Sequence, residues 1–403
     1  MRITQGFSRF TGPVLAGPAG LRESGRAARL TAAPSDFYSP APRPGGQPAS
    51  VFAHPKESMF VLDGGRRFVI PRTEMTYPGH NPKLHQNAAD PVKSPVDAVV
   101  ADLEDGCPWE FKGPKSRAVV VEAFNTLDFG AKVLSVRPNA IQSPHFLGDL
   151  EAIVRGAPNR FHAIVLPKAS SVEDVLYTAR LLDALEREAG WDYPLQISAL
   201  IETPRGVLNA HAIATASSRM AGLVFGVADF AATLGIREAV EGQNLNFLYA
   251  KQSVVVAAKA AGLHAIDSVY LKLHRKDDDP ERVRRIEDGL RDKNVGAANL
   301  GMDGTWIIHP QQAAIANECY TPNERQIAFA KRVTDLYHQR GGGSMADPET
   351  GDMIDEATIK IALMDLAKGV QAGTVPASYL AEQATRSKAI TGYDLLEQMR
   401  RID

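Results

Sequence analysis

Six polar residues stand immediately after apolar runs, where their side chains can meet. Glu202 ends "QISALIE", Asp229 follows "GLVFG", Arg137 ends "KVLSVR", Lys168 ends "HAIVLPK", and Glu104 and Asp105 follow "DAVVADL", whose own last acid is Asp102. Carboxylates that converge without compensation repel one another and resist ionisation unless a divalent cation neutralises them. Ligation by carboxylate and water oxygens suits Mg²⁺ best. Taken one at a time, other uses stay open. Glu202 precedes Thr-Pro and Asp229 precedes "FAATLG", so each can cap the next helix. Arg137 and Lys168 can be ion-pair partners of "DLED".

The runs that carry these residues recur along the chain: "FVIP" or "EMTY", then "DAVVADL", "KVLSVR", "HAIVLPK", "QISALIE", "GLVFG", "HAIDSVY" and "TWIIHP". Runs rich in β-branched residues without clean alternation fit strands covered on both faces, as in a parallel sheet. Amphipathic stretches separate them. In "SVEDVLYTARLLDALEREAG", Ser170 or Ser171 is the expected N-cap and Gly190 the stop. Eight such runs alternating with helices predict an α/β fold, a TIM (β/α)8 barrel over 51–340, with chemistry where the strands end. No GxGxxG or Walker A pattern points to a dinucleotide or nucleoside triphosphate. After the barrel, "GGGSMADPETGD" reads as a hinge, and 341–403 as a C-terminal helical lid or arm.

The 403 residues carry 45 Lys plus Arg against 47 Asp plus Glu, a net charge of −2, so no basic footprint exists for nucleic acid or an anionic membrane. No apolar run approaches the roughly 20 residues that span a bilayer. The two cysteines, Cys107 and Cys319, lack CxxC spacing and suit packing in a reducing compartment. Residues 1–50 are rich in Pro, Gly, Ala, Ser and Arg, which predicts a disordered extension. Cytoplasmic location is expected; an Arg-rich, acid-poor start keeps the mitochondrial matrix as the alternative. The run "HRKDDDPER" is a solvated loop and helix start.

The segments "DLEDG", "LSVRPN", "IVLPK", "LIETPRGVLN", "FGVADFAATLG", "GMDGTWIIHPQQAAIANECYTPNE" and "GDMID" resemble, in one order from about Arg72 to Lys368, the citrate lyase β-subunit-like (HpcH/HpaI aldolase) family, most nearly its malyl-CoA/β-methylmalyl-CoA lyases. The resemblance implies a TIM barrel that uses Mg²⁺, with Mn²⁺ as a substitute, to cleave or form a 3-hydroxyacyl-CoA from an acyl-CoA and a 2-oxo acid such as glyoxylate or pyruvate. It also implies Glu202 and Asp229 as direct metal ligands, Glu104 and Asp105 as holders of metal-bound water, and Arg137 as the cation facing substrate oxygens. Asp355 of "GDMID" would act in the active site of a neighbouring subunit, in a homotrimer or hexamer with arm exchange. Thr76, Tyr77 and Lys83 in the first loop, and Ile308 and His309 after the eighth strand, would line the acyl-CoA.

The chain also departs from the family. Asn87 stands where a lysine is usual, with Lys83 as its substitute, and Gly304-Thr305 replaces Gly-Lys. Two alternatives stay open: a malyl-CoA thioesterase or malate synthase-type hydrolase on the same scaffold, and, through the altered first loop, a CoA-independent class II 2-oxo acid aldolase. His309, after the apolar "WII", is expected to be a hydrogen-bonded structural residue rather than a base.

Overall fold

A computed structural model describes residues 71–237, 243–392 and 394–395, with the backbone of two short paired strands at Phe60–Val61 and Arg67–Phe68. The extension expected over 1–50 lies outside the described residues. Eight parallel strands close into a barrel: β1 (Thr73–Pro78), β2 (Ala98–Asp102), β3 (Val133–Arg137), β4 (Ala163–Leu166), β5 (Gln196–Ile201), β6 (Met220–Phe225), β7 (His264–Asp267) and β8 (Gly304–Ile307). Each pairs with its neighbours in sequence, and β8 returns to β1. Of the two candidates for the first strand, "EMTY" forms it.

Side chains alternate along each strand, so one parity fills the barrel and the other meets the helices. Val100, Val165, Leu200, Val224, Ile266 and Trp306 pack together inside. The opposite parity, including Val99, Leu134, Ile164, Ile197 and Leu223, joins the larger core beneath the helices. Register carries this through to the strand ends. Val100 is opposite Ser135, and Asp102 opposite Arg137. Asp102 and Arg137 therefore share the inward face, as does Glu202, two residues beyond Leu200. At the closure, Gly304 leaves no room for substitution, because a Cβ there would collide with the Pro71 carbonyl oxygen.

Local chemistry explains the helices. Val172–Ala189 begins with a reciprocal capping box between Ser171 and Asp174, and ends at Gly190 in the left-handed conformation. Thr203 caps the turn Pro204–Leu208 by accepting from the Gly206 amide, so Glu202 is not the cap. Asp229 is not one either: it lies within the first turn of Val227–Leu234, whose N-cap is Gly226.

A second hydrophobic cluster joins the helix Glu324–Arg340 to the helix Glu356–Gln371 through Ile327, Val333, Tyr337, Ile359, Leu363 and Leu366, and Leu380 and Ile390 of the helix Ala377–Thr391 pack against it. The helix before the triple glycine thus shares its core with the arm. Gly341, Gly342 and Gly343 have φ of 79°, 98° and 79°, which few other residues adopt. The chain then makes a small hairpin, β9 (Met345–Ala346) with β10 (Met353–Ile354). Arg332 pairs with Asp347 at 2.8 Å across its base. Among the described residues, no helix is long and apolar enough to cross a membrane.

Candidate active site

At the C-terminal mouth of the barrel, the β2 and β3 tips are tied together by a forked ion pair. Asp102 accepts from Arg137 Nε at 2.7 Å and from Nη2 at 2.5 Å. The same carboxylate accepts the Glu104 and Gly106 amides at 2.8 and 2.7 Å, which curls "DLEDG" back over the strand end. A Cβ at Gly106 would strike Asp102 Oδ2, so glycine is required there. Arg137 Nη1 lies 3.1 Å from Glu104 Oε2, and the guanidinium carbon sits 5.2 Å from the centroid of the Trp306 ring. Burial alone would lower the Arg137 pKa, but the charge and hydrogen bonds of Asp102 outweigh it and keep the guanidinium ionised. The charge is fixed in position.

Lys168 links the remaining acids. Its Nζ lies 2.6 Å from Glu104 Oε1, 3.4 Å from Asp229 Oδ2 and 3.8 Å from Asp105 Oδ1. Its backbone amide donates to Glu202 Oε1 at 2.8 Å. Glu202 is only 4% exposed. Burial, then the charges of Glu104 and Asp229, push its carboxyl up to about 8, against the pull of Arg137. Gly226 leaves the space that this carboxylate fills, since a Cβ at 226 would come within 2.8 Å of Glu202 Oε2.

This donor set fits a hard divalent cation. Glu202 and Asp229 offer oxygens beside Glu104 and Asp105, and a cation would offset both the burial and the repulsion that hold the Glu202 carboxyl high. The fit is of a partial site. Among the described residues, no three His, Cys, Asp or Glu side chains form a preformed cage, so water and substrate oxygens must complete the shell.

Other expected site residues are placed less uniformly. The Thr76 hydroxyl is buried, without a hydrogen-bond partner among the described residues, and shares the inward parity of Val100. Tyr77 faces the opposite way, its hydroxyl 2.9 Å from His85 Nδ1 in the layer beneath the helix Pro82–Ala89. Lys83 is exposed on that helix. The Ile308 amide donates to Gln312 Oε1 at 3.0 Å, and His309 Nδ1 accepts the Gln311 amide at 3.2 Å, which makes His309 a cap. Asp355 caps its own arm helix by accepting the Thr358 amide at 3.0 Å. Among the described residues, its hydrogen bonds are local.

Sequence reasoning missed the supports. Lys112 Nζ binds the Glu104 carbonyl at 2.7 Å and Asn139 Oδ1 at 2.6 Å, while Asn139 donates to Asp149, which Arg117 holds at 2.7 Å. The motif "SVRPN" contained the only signal, an asparagine two residues after Arg137. Trp306 went unnoticed because it reads as one more apolar strand residue.

A family model for HpcH/HpaI aldolase/citrate lyase matches residues 72–310, spanning β1 through the turn after β8. The chain belongs to the HpcH/HpaI aldolase/citrate lyase family. It is 31% identical over 307 residues to the L-malyl-CoA/beta-methylmalyl-CoA lyase of Cereibacter sphaeroides, covering 72% of this chain and 92% of that one. It is also 31% identical over 313 residues to the malyl-CoA/beta-methylmalyl-CoA/citramalyl-CoA lyase of Chloroflexus aurantiacus, covering 72% and 86%. Among solved structures, CitE from Mycobacterium tuberculosis in complex with magnesium, acetoacetate and coenzyme A superimposes with a TM-score of 0.56 at 26% identity, over 74% of this chain and 98% of that one. As a member of this HpcH/HpaI family with lyases for relatives, the protein is an enzyme, a carbon–carbon lyase.

The buried acids make a pH prediction. In the folded, metal-free protein, burial holds Glu74, inside the barrel opposite Trp306, at about 7, and Glu202 at about 8, against 4.5 for an ordinary glutamate. The folded state therefore keeps protons that the unfolded chain has released. That stabilisation is complete below about pH 4.5 and is lost as pH rises through about 7 to 8. The melting temperature in chelator should fall across this window, and Glu74→Gln should flatten the fall. A flat profile in the parent protein would contradict both placements.

Proposed function

We propose that this lyase cleaves, or in reverse condenses, a 3-hydroxyacyl-CoA such as malyl-CoA, β-methylmalyl-CoA or citramalyl-CoA, exchanging it with an acyl-CoA and glyoxylate or pyruvate. The observation that carries this is a buried guanidinium, locked by Asp102, beside a carboxylate group able to take a divalent cation. The names of the relatives supply the substrate class.

Breaking the carbon–carbon bond sends electrons into the thioester fragment as an enolate, too basic to form unaided. Arg137 would meet that enolate oxygen with a donor that needs no reorganisation. Glu202 and Asp229 would hold Mg²⁺, or Mn²⁺ in its place, whose chemistry when bound is Lewis-acid polarisation of the oxo-acid oxygens. Glu104 and Asp105 would orient water in that shell. Thr76, with its inward hydroxyl, would bind a polar group in the mouth, and Lys83, Ile308 and His309 would line the acyl-CoA. Asp355 would exchange the proton at the enolate carbon, brought by the arm of a neighbouring subunit in a cyclic homotrimer or hexamer. The arm would also exclude water from the enolate.

The test is product analysis. The protein with Mg²⁺ and malyl-, β-methylmalyl- or citramalyl-CoA should yield acyl-CoA and oxo acid in equal amounts, without free CoA. Free CoA in proportion to turnover would replace this function with the thioesterase or malate synthase-type alternative. Turnover only of CoA-free aldols would replace it with the class II aldolase.

A further inference from the structure

Among the described residues, Lys168 is the one side chain that reaches Glu104, Asp105 and Asp229 together, at 2.6, 3.8 and 3.4 Å. Its amide holds the fourth acid, Glu202. Its backbone is also unusual. Lys168 has φ of 53°, one of two described non-glycine residues with positive φ, and that left-handed conformation disfavours a side chain. Glycine would take it freely, yet a lysine stands here, with its amide on Glu202 and its ammonium among Glu104, Asp105 and Asp229. Strain of this kind persists where surrounding contacts hold it in place.

We propose that Lys168 is the built-in counter-charge of the metal site: it holds the four carboxylates together before the cation arrives, and it competes with the cation for the same oxygens. This rests on the assignment of Glu202 and Asp229 as ligands, and adds a positioning residue to it. The physical reason is that four acids gathered at a barrel mouth require positive charge in either state. Arg137 cannot supply all of it, because Asp102 occupies two of its nitrogens. When a dication binds, the ammonium becomes an excess like charge beside it and must swing away. Cation affinity is thereby held below what the carboxylates alone would give, and the acids stay gathered when the site is empty. A flexible four-carbon stem suits a charge that has to leave, whereas a forked guanidinium suits one that has to stay.

The experiment is calorimetric titration of the full chain with Mg²⁺ alone at fixed pH, for the parent, Lys168→Gln and Lys168→Arg. Removing the competing charge should tighten binding by Lys168→Gln about tenfold and lower the melting temperature of its metal-free form. Lys168→Arg should melt near the parent without metal but bind Mg²⁺ more weakly, because its fork does not withdraw. Equal or weaker binding by folded Lys168→Gln overturns the proposal while leaving the metal site standing. Absence of binding by the parent overturns both. Should Lys168→Gln not fold, the parent decides: amine-reactive labelling of Lys168, read by peptide mass, should be severalfold faster with Mg²⁺ than in chelator, and an unchanged rate overturns the proposal.

Discussion

Replacing Arg137 by lysine should lower kcat about a hundredfold to a thousandfold, with a much smaller change in KM for the acyl-CoA. A loss of that size is what removal of one preorganised transition-state donor typically produces. An ammonium retains the charge but cannot grip both oxygens of Asp102 while presenting a third nitrogen, because it lacks the planar fork. Its stability effect separates this role from a purely structural one. Arg137→Ala leaves Asp102 buried without its cationic partner, and breaking such a pair costs about 3–5 kcal/mol. Lysine should recover much of that stability and little of the activity. Paired kinetics and thermal melts read both quantities. If Arg137→Lys turned over normally, the guanidinium would be an ion-pair partner of the "DLED" loop and nothing more.

The sequence disclosed the strands because a parallel barrel leaves them covered on both sides, so runs such as "HAIVLP" and "GLVFG" stand out from the amphipathic helices between them. The first strand was ambiguous for a physical reason. "FVIP" is the more apolar segment, yet "TEMTYP" forms β1, with Glu74 and Thr76 on the parity that faces into the barrel. Strand tips were legible as polar residues ending apolar runs, and Glu202, Arg137 and Asp229 stand at or just beyond the strand ends as that pattern predicts. Which acid serves which cation was not legible. Asp102, rather than Glu104 or Asp105, grips Arg137 because barrel register sets residue 102 opposite 137. Lys168 crosses from the β4 tip to the acids after β2 and β6. Those contacts exist only once the barrel closes, between residues 35 to 64 positions apart.

Mixing two inactive variants, Asp355→Ala and Glu202→Ala, should restore activity. In this structure Asp355 is a poor base. Hydrogen bonds from the Thr358 amide, and then its hydroxyl, hold its carboxyl below the ordinary aspartate range despite some desolvation. A group in that state has little affinity for a carbon-bound proton, so a catalytic role requires a setting that raises its pKa. A barrel mouth already crowded with Glu104, Glu202 and Asp229 is such a setting, since like charge and burial both favour the protonated acid. The arm carries Asp355 on a helix packed against Glu324–Arg340, its hydrogen bonds among the described residues all to its own segment, so delivery to a mouth is a matter of assembly. If a neighbour supplies the arm, a site works when its barrel comes from the Asp355→Ala chain and its arm from the Glu202→Ala chain. Random exchange at equal concentrations then leaves about a quarter of the sites intact. Activity should climb from background to about that fraction of the parent's on the timescale of subunit exchange, followed independently with fluorescently labelled chains. If the arm served its own barrel, every site would lack one group, and the mixture would stay inactive however completely the subunits exchanged.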